Sequence, residues 1–216
     1  IAIPTTLSSG SECSRYYLLN EDSGQKLPNR SWGSLPNYII LDPSLLNYLE
    51  PSTAIVQLFD CFVHCVEVTF AVNEGFLSTV LLSSAILENL IFLFQEGNYS
   101  INSDMLVEHQ LMVSFAGQCI SNTRTGAIHS VAEIMSSFLN LSHVDSLLLA
   151  AKFHYMLRQG KRRNGVRSKL TDRIKGEYDS VWNELDNYVN HLDSVHTPKV
   201  SPKAVIPCVV AFTEKI

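Results

Sequence analysis

From Pro43 onward, apolar residues recur at spacings of three and four, and almost nowhere with a period of two. The pattern therefore predicts helices rather than sheet over most of the chain. Phe59, Val63, Val66 and Phe70 form one apolar stripe, in a helix expected to start at a Ser52 or Thr53 cap and to end near residue 72. Asn73-Glu74-Gly75 breaks it. A long helix is expected over residues 77–95, closed by Gly97-Asn98, and another from Ser103 or Asp104 to about residue 121. After a turn at 122–126, helices are expected near 127–139 and 144–159. A last one is expected at 171–192, with Tyr178, Val181, Trp182, Leu185 and Val189 on its apolar side. Residues 1–45 read differently. Pro4, Gly10, Gly24, Pro28, Gly33, Pro36 and Pro43 punctuate them, and the short apolar runs at 1–3 and 38–41 read as strands. Asp42 or Ser44 caps a short helix through 45–49.

Composition narrows the class. A chain of 216 residues with 46% hydrophobic and 17% charged residues is globular and buries a sizeable core, as one large domain or two small ones. A net charge of −5 argues against a general nucleic-acid binder. The basic run Arg158, Lys161, Arg162, Arg163, Arg167, Lys169, Arg173 and Lys175 lacks interleaved aromatics and reads as a solvated linker or surface segment. Five scattered cysteines without a Cys-x-x-Cys pair point to a reducing compartment, and hence to the cytoplasm. No signal-peptide pattern is present. The apolar run at 76–94 carries Ser83, Ser84, Glu88 and Asn89, so it reads as a core helix and not as a membrane span.

Candidate chemistry concentrates in Phe-Asp-Cys-Phe-Val-His-Cys-Val-Glu, residues 59–67. Asp60 and His64 are four apart and share a helix face. Taken alone, the pair also fits an ordinary helix Asp beside a core histidine. Downstream, His129 and His143 lie 14 residues apart in helical segments. Asp60, His64, His129 and His143 together form one oxygen and three nitrogen ligands, a set suited to Fe(II) or Zn(II). A thiolate site at Cys61 and Cys65 with His64 is the weaker alternative.

The same residues carry a resemblance. An Asp-x-x-x-His pair followed by two later histidines at these separations resembles the iron-containing (group III) alcohol dehydrogenases. Residues 3–12, Ile-Pro-Thr-Thr-Leu-Ser-Ser-Gly-Ser-Glu, resemble that family's Pro-Thr-Thr-x-x-Thr-Gly-Ser-Glu loop. Lys26, Leu35-Pro36 and Leu41-Asp42-Pro43 fall in the family's order, and Gly126-Ala127-Ile128-His129 resembles its Gly-x-x-His. The resemblance covers roughly residues 1–157. Three departures stand out: Ser8-Ser9 replaces a Gly-Thr, Glu133 replaces a second histidine after the third ligand, and Val144 replaces a glycine after the fourth.

The resemblance implies a mainly α fold: a helical metal-binding domain of the dehydroquinate synthase-like/group III alcohol dehydrogenase architecture, with a short α/β remnant at the N-terminus. The expected division is 1–45 for the remnant and 46–216 for the helical domain, with 158–175 as the basic segment. It implies interconversion of a small alcohol with an aldehyde or ketone, with NAD or NADP as hydride carrier. Thr5, Thr6, Ser9 and Lys26 are the implied cofactor contacts. The family's nucleotide-binding half, with its Gly-rich phosphate loop, would precede residue 1, so the chain is expected to be part of something longer and to lack dehydrogenase activity alone. No nucleic-acid or membrane partner is expected, and a homo-oligomer is one option. Two rival functions remain at this stage: a sugar-phosphate cyclase of the dehydroquinate synthase type, and a degenerate relative that serves as a binding module.

Overall fold

The computed structural model describes residues 1–20, 26–70, 77–95 and 103–159. The expected final helix at 171–192, the breaks at 73–75 and 97–98, and residues 160–175 of the basic segment lie outside the described residues. The described elements are β1 (Tyr16–Asn20), β2 (Lys26–Arg30), α1 (Pro51–Phe70), α2 (Leu77–Gln95), α3 (Ser103–Asn122), α4 (Ala127–Leu139) and α5 (His143–Gln159). Short 3-10 turns occupy Ser11–Cys13, Trp32–Ser34 and Pro43–Leu46.

Helix α1 is the centre of the array. Every residue from 58 to 66 is buried, and α2, α3, α4 and α5 all pack against it. A helix buried on all sides is apolar all round, apart from residues with a specific task. Phe59, Phe62, Leu58, Val63 and Val66 supply the apolar part, and the Phe62 ring meets Phe94 of α2 at 5.6 Å between centroids. Asp60 and His64 are the polar exceptions within that run. Helix α1 begins at Pro51, with the Ala54 N–H donating to the Glu50 carbonyl. Ser52 and Thr53 therefore lie inside the first turn and do not cap it, because proline is suited to the first helical position.

Helix α2 is the one helix among the described residues long and apolar enough to cross a membrane by length and composition. One side packs on α1 and α3 through Ile86, Leu87 and Leu90, and Ser83 Oγ donates to the Cys65 carbonyl. Leu77, Leu81 and Phe92 are exposed on its other side.

The N-terminal strands differ from the sequence expectation. Residues 1–3 and 38–41 meet only at a parallel bridge between Ala2 and Ile39. The sheet is instead an antiparallel pair, β1 with β2, in which Leu18 faces Pro28 and Tyr16 faces Arg30. Proline in 26–30 argues against a central strand, but both strands of a two-stranded pair are edges and tolerate it.

Two glycines bring the N-terminal loop onto the bundle. Gly10 has φ 61°, and a Cβ there would run into the carbonyl of Val113 and the backbone of Gly117 in α3. A Cβ on Gly117 would in turn strike Gly10. Backbone touches backbone at this point, which only glycine permits. Ser114 Oγ donates to Glu12 at 2.6 Å, and the Leu7 N–H donates to Gln57 of α1 at 2.8 Å. The loop between these anchors is held against α1 at the level of Asp60.

Candidate metal centre

Three helices converge on one carboxylate oxygen. Oδ1 of Asp60 lies 3.3 Å from Nε2 of His129, 3.6 Å from Nε2 of His64 and 3.6 Å from Nε2 of His143. Asp60 and His64 come from the middle of α1, His129 from the first turn of α4, and His143 is the first residue of α5. The rings of His64 and His129 stack at 4.5 Å between centroids and 10° between planes. Ligating atoms of Asp60, His64 and His129 all lie within 4.8 Å of one another. His143 completes the group at its open side: its side chain is 37% exposed, against 0% for Asp60 and 4% for His129.

Local structure explains how the two later histidines arrive. Asn140 ends α4 in the left-handed conformation, with φ 50°. Ser142 then caps α5: its Oγ accepts from the Asp145 N–H at 3.1 Å and donates to the Asp145 carboxylate at 2.6 Å. This fixes His143 at the helix start. Val144, in place of the glycine that the family resemblance suggests, does not carry His143 away from Asp60. Glu133 sits one turn beyond His129 on α4 and is half-buried.

Two residues that sequence reasoning left without a role complete the site. Ser8 Oγ donates to Oδ2 of Asp60 at 3.0 Å. Glu67 lies one turn beyond His64 on the same face of α1 and accepts four N–H groups from the start of α4 and its cap residue Gly126. Its Oε2 takes Gly126 N–H and His129 Nδ1–H, each at 2.7 Å, and its Oε1 takes Ile128 N–H at 2.7 Å and His129 N–H at 3.2 Å. The signal was present in the sequence, since Asp60, His64 and Glu67 stand at i, i+4 and i+7 of one helix.

Of the expected cofactor residues, Thr5 and Thr6 are exposed and Ser9 is half-buried on the loop that delivers Ser8. Lys26 pairs through its backbone with Asn20, and its side chain lies outside the described residues.

The electrostatics follow from burial and pairing. Burial disfavours the Asp60 carboxylate, but His64, His129 and His143 outweigh it and hold the carboxyl well below its ordinary range. Burial likewise opposes the Glu67 carboxylate, and His129 with the α4 backbone N–H groups overcomes it. Burial opposes a His129 cation too, yet Glu67 and Asp60 on either side push it up to about 10. His64 is dominated by burial and falls to about 4 in spite of Asp60. Its Nδ1 is buried without a hydrogen-bond partner. The ligand group that converges among the described residues, Asp60, His64 and His129, includes no thiol. The hydrogen bond with Cys65 and burial push Cys61 well up, and burial pushes Cys119 up to about 12.

Fold and site together define a class: a helical domain whose central helix presents a carboxylate and an imidazole to two further histidines. The fold is that of iron-containing alcohol dehydrogenases, to which the chain is similar over nearly its whole length. The iron-containing alcohol dehydrogenase of Thermococcus thioreducens superposes with a TM-score of 0.75 at 19% identity, over 99% of this chain and 56% of that one. Sulfoacetaldehyde reductase of Bifidobacterium kashiwanohense, solved with NAD+, superposes with a TM-score of 0.72 at 15% identity, over 96% of this chain and 56% of that one. The 1-propanol dehydrogenase of Citrobacter freundii is 26% identical over 164 residues, 73% of this chain and 44% of that protein. The chain thus spans about half the length of each. No protein-family model matches it.

Proposed function

We propose that Asp60, His64, His129 and His143 hold one divalent ion, Fe(II) or Zn(II). The chain then supplies the metal side of an NAD(P)-dependent dehydrogenase that interconverts a small alcohol and its aldehyde or ketone. The observation that carries this reading is the set of three imidazole nitrogens 3.3–3.6 Å from one carboxylate oxygen. Donor atoms bound at about 2.0–2.2 Å in a tetrahedral shell stand about 3.3–3.6 Å apart, so the spacing matches an ion-sized gap. Three imidazoles and one carboxylate suit Fe(II) or Zn(II) and not Mg(II) or Ca(II).

When bound, such an ion polarises the substrate oxygen, and the nicotinamide carries the hydride. The chain's own residues prepare the place. Ser8 holds Oδ2 of Asp60 and keeps Oδ1 toward the ring nitrogens. The exposed flank of His143 is the side from which a small alcohol would enter. Thr5, Thr6 and Ser9 offer short hydroxyls on the loop that brings Ser8 to Asp60, and we assign them, with Lys26, to the NAD(P) side. The NAD+ bound to the sulfoacetaldehyde reductase neighbour, and the alcohol named for the Citrobacter relative, support that direction.

The test is anaerobic loading with Fe(II) or Zn(II), equilibrium dialysis, and an assay of NADH and NADPH oxidation with short aldehydes in the protein that carries this chain. One ion per chain, lost in Asp60→Ala and His129→Ala, with aldehyde-dependent oxidation of the cofactor, is the expected result. Failure to retain any divalent ion would end the metal reading. Ion binding without carbonyl reduction would end the dehydrogenase reading.

A further inference from the structure

Glu67 stands outside the ligand set, yet both of its oxygens are fully engaged. Its side chain is 5% exposed, and all four groups around its two oxygens are N–H donors from the first turn of α4 and its cap residue Gly126. A carboxylate at a helix N-terminus satisfies donors that have no partner within the helix. This one does so from a neighbouring helix, and it reaches the ring of His129 with the same oxygen that takes Gly126 N–H.

Gly126 gives an independent view of the same contact. Its φ of −99° is open to any residue, so conformation does not demand glycine there. Space does: a Cβ at Gly126 would lie 2.9 Å from both Cδ and Oε1 of Glu67. The glycine three residues before His129 is thus the room that the carboxylate occupies.

We propose that Glu67 is a positioning residue for the metal centre: by accepting Nδ1–H of His129 while capping α4, it fixes the ring with Nε2 directed at Asp60, where an ion would take the place of its proton. This rests on the metal reading above. Acceptance by Glu67 keeps the proton on Nδ1, which leaves Nε2 as the ligating atom, and the backbone bonds fix where α4 starts relative to α1. A carboxylate behind a ligating imidazole orients the ring and raises its basicity. A glutamine at position 67 would keep one acceptor oxygen for the α4 backbone. Its amide N–H groups would face His129 Nδ1 and turn the ring nitrogen from donor into acceptor.

The experiment compares the native chain with Glu67→Gln, Gly126→Ala and Leu90→Ala, the last a fully buried α2 truncation that controls for lost stability. Zn(II) affinity is read by competition with a chromophoric chelator. His129 Nδ1–H is read from long-range imidazole 1H–15N spectra, with and without Zn(II). Glu67→Gln and Gly126→Ala are expected to weaken Zn(II) binding about 10–100-fold and to lose the Nδ1–H signal. Leu90→Ala is expected to melt lower with both readouts as in the native chain. If Glu67→Gln fails to fold, Gly126→Ala carries the test, because it displaces the carboxylate without removing it. Native Zn(II) affinity and an intact Nδ1–H signal in either site variant would overturn the proposal. Absence of Zn(II) binding in the native chain would sink the metal reading instead, while the ion-free Nδ1–H signal would still decide whether Glu67 holds His129.

Discussion

The hydroxyl of Ser8 donates to Oδ2 of Asp60 at 3.0 Å, joining residues 52 apart in sequence. One carboxylate oxygen is thereby committed to the N-terminal loop, and the other faces three imidazoles. Ser8 stands where the resemblance suggests a glycine, so this bond belongs to this chain's own loop. Ser8→Ala removes a hydrogen bond to a buried charged group, worth about 1.5–3 kcal/mol. Part of that is recovered as Asp60 relaxes, and Zn(II) affinity is expected to fall about tenfold, which corresponds to about 1.4 kcal/mol. Chelator competition measures it. Unchanged affinity would mean that Ser8 and Asp60 are neighbours without consequence.

The loop reaches Asp60 only because Gly10 and Gly117 touch backbone to backbone. Gly10→Ala meets the Val113 carbonyl and also places alanine at φ 61°. Gly117→Ala meets the Gly10 carbonyl. Each is expected to destabilise the fold by about 2 kcal/mol or more, since neither obstacle is a flexible side chain. Urea denaturation gives the value. A cost below about 0.5 kcal/mol, the range of an ordinary surface substitution, would show that the loop lifts off freely.

The helices were legible because their signal is local. Periodicity marks 77–95 and 127–139 as helices, and both are observed with those bounds. The four candidate ligands could be read from type and spacing, and the structure brings them together. What escaped is what depends on tertiary contact. The hairpin of Tyr16–Asn20 and Lys26–Arg30 carries Pro28, which speaks against a strand until the pair is known to have two edges. The contact of Gly10 with Gly117 joins two distant glycines, and neither announces the other. Ser8 lies between Thr6 and Ser9 in a loop full of hydroxyls, and only the fold selects which one reaches Asp60. Glu67 was on the visible face of its helix, but its partners are backbone groups of α4 that sequence does not mark.

The ion-free protein should be most stable near pH 6.5 as far as these buried groups govern it. His64 falls to about 4 when folded, below its ordinary value of about 6.5. Its contribution is whole above pH 6.5 and is lost as pH drops toward 4, because the unfolded chain takes up the proton first. The low-lying carboxyls of Asp60 and Glu67 add to the loss in the ordinary carboxylate range. His129 has the opposite sign. Raised to about 10, it contributes fully below pH 6.5 and loses that contribution as pH climbs from 6.5 to 10. One proton changes stability by at most about 1.4 kcal/mol per pH unit. Urea midpoints of chelator-treated protein at pH 5, 6.5 and 9 test the shape, and a midpoint that rises steadily from pH 5 to 9 would contradict it.

Ion binding should raise the melting temperature, and Asp60 should be indispensable to that rise. Asp60 is fully buried and is the one residue that meets all three imidazoles, so it is the hub of the donor set. A ligand that binds only the folded state stabilises it by about 4 kcal/mol at a thousandfold excess over its Kd. For a chain of this size each kcal/mol raises the melting temperature by about 2–4 °C, so Zn(II) is expected to add about 10 °C. Asp60→Asn keeps the side-chain shape and a carbonyl oxygen but loses the charge, leaving three imidazoles with no anion to offset the ion where Asp60, His64 and His129 are buried. The expected outcome is a lower melting temperature without ion, because His129 loses one of its two carboxylate partners, and little further change when Zn(II) is added. Calorimetric scans of both proteins, with chelator and with Zn(II), measure the four values. An equal Zn(II)-dependent rise in Asp60→Asn would place the ion elsewhere, for instance at exposed carboxylates, and the four-residue centre would then have no claim to it.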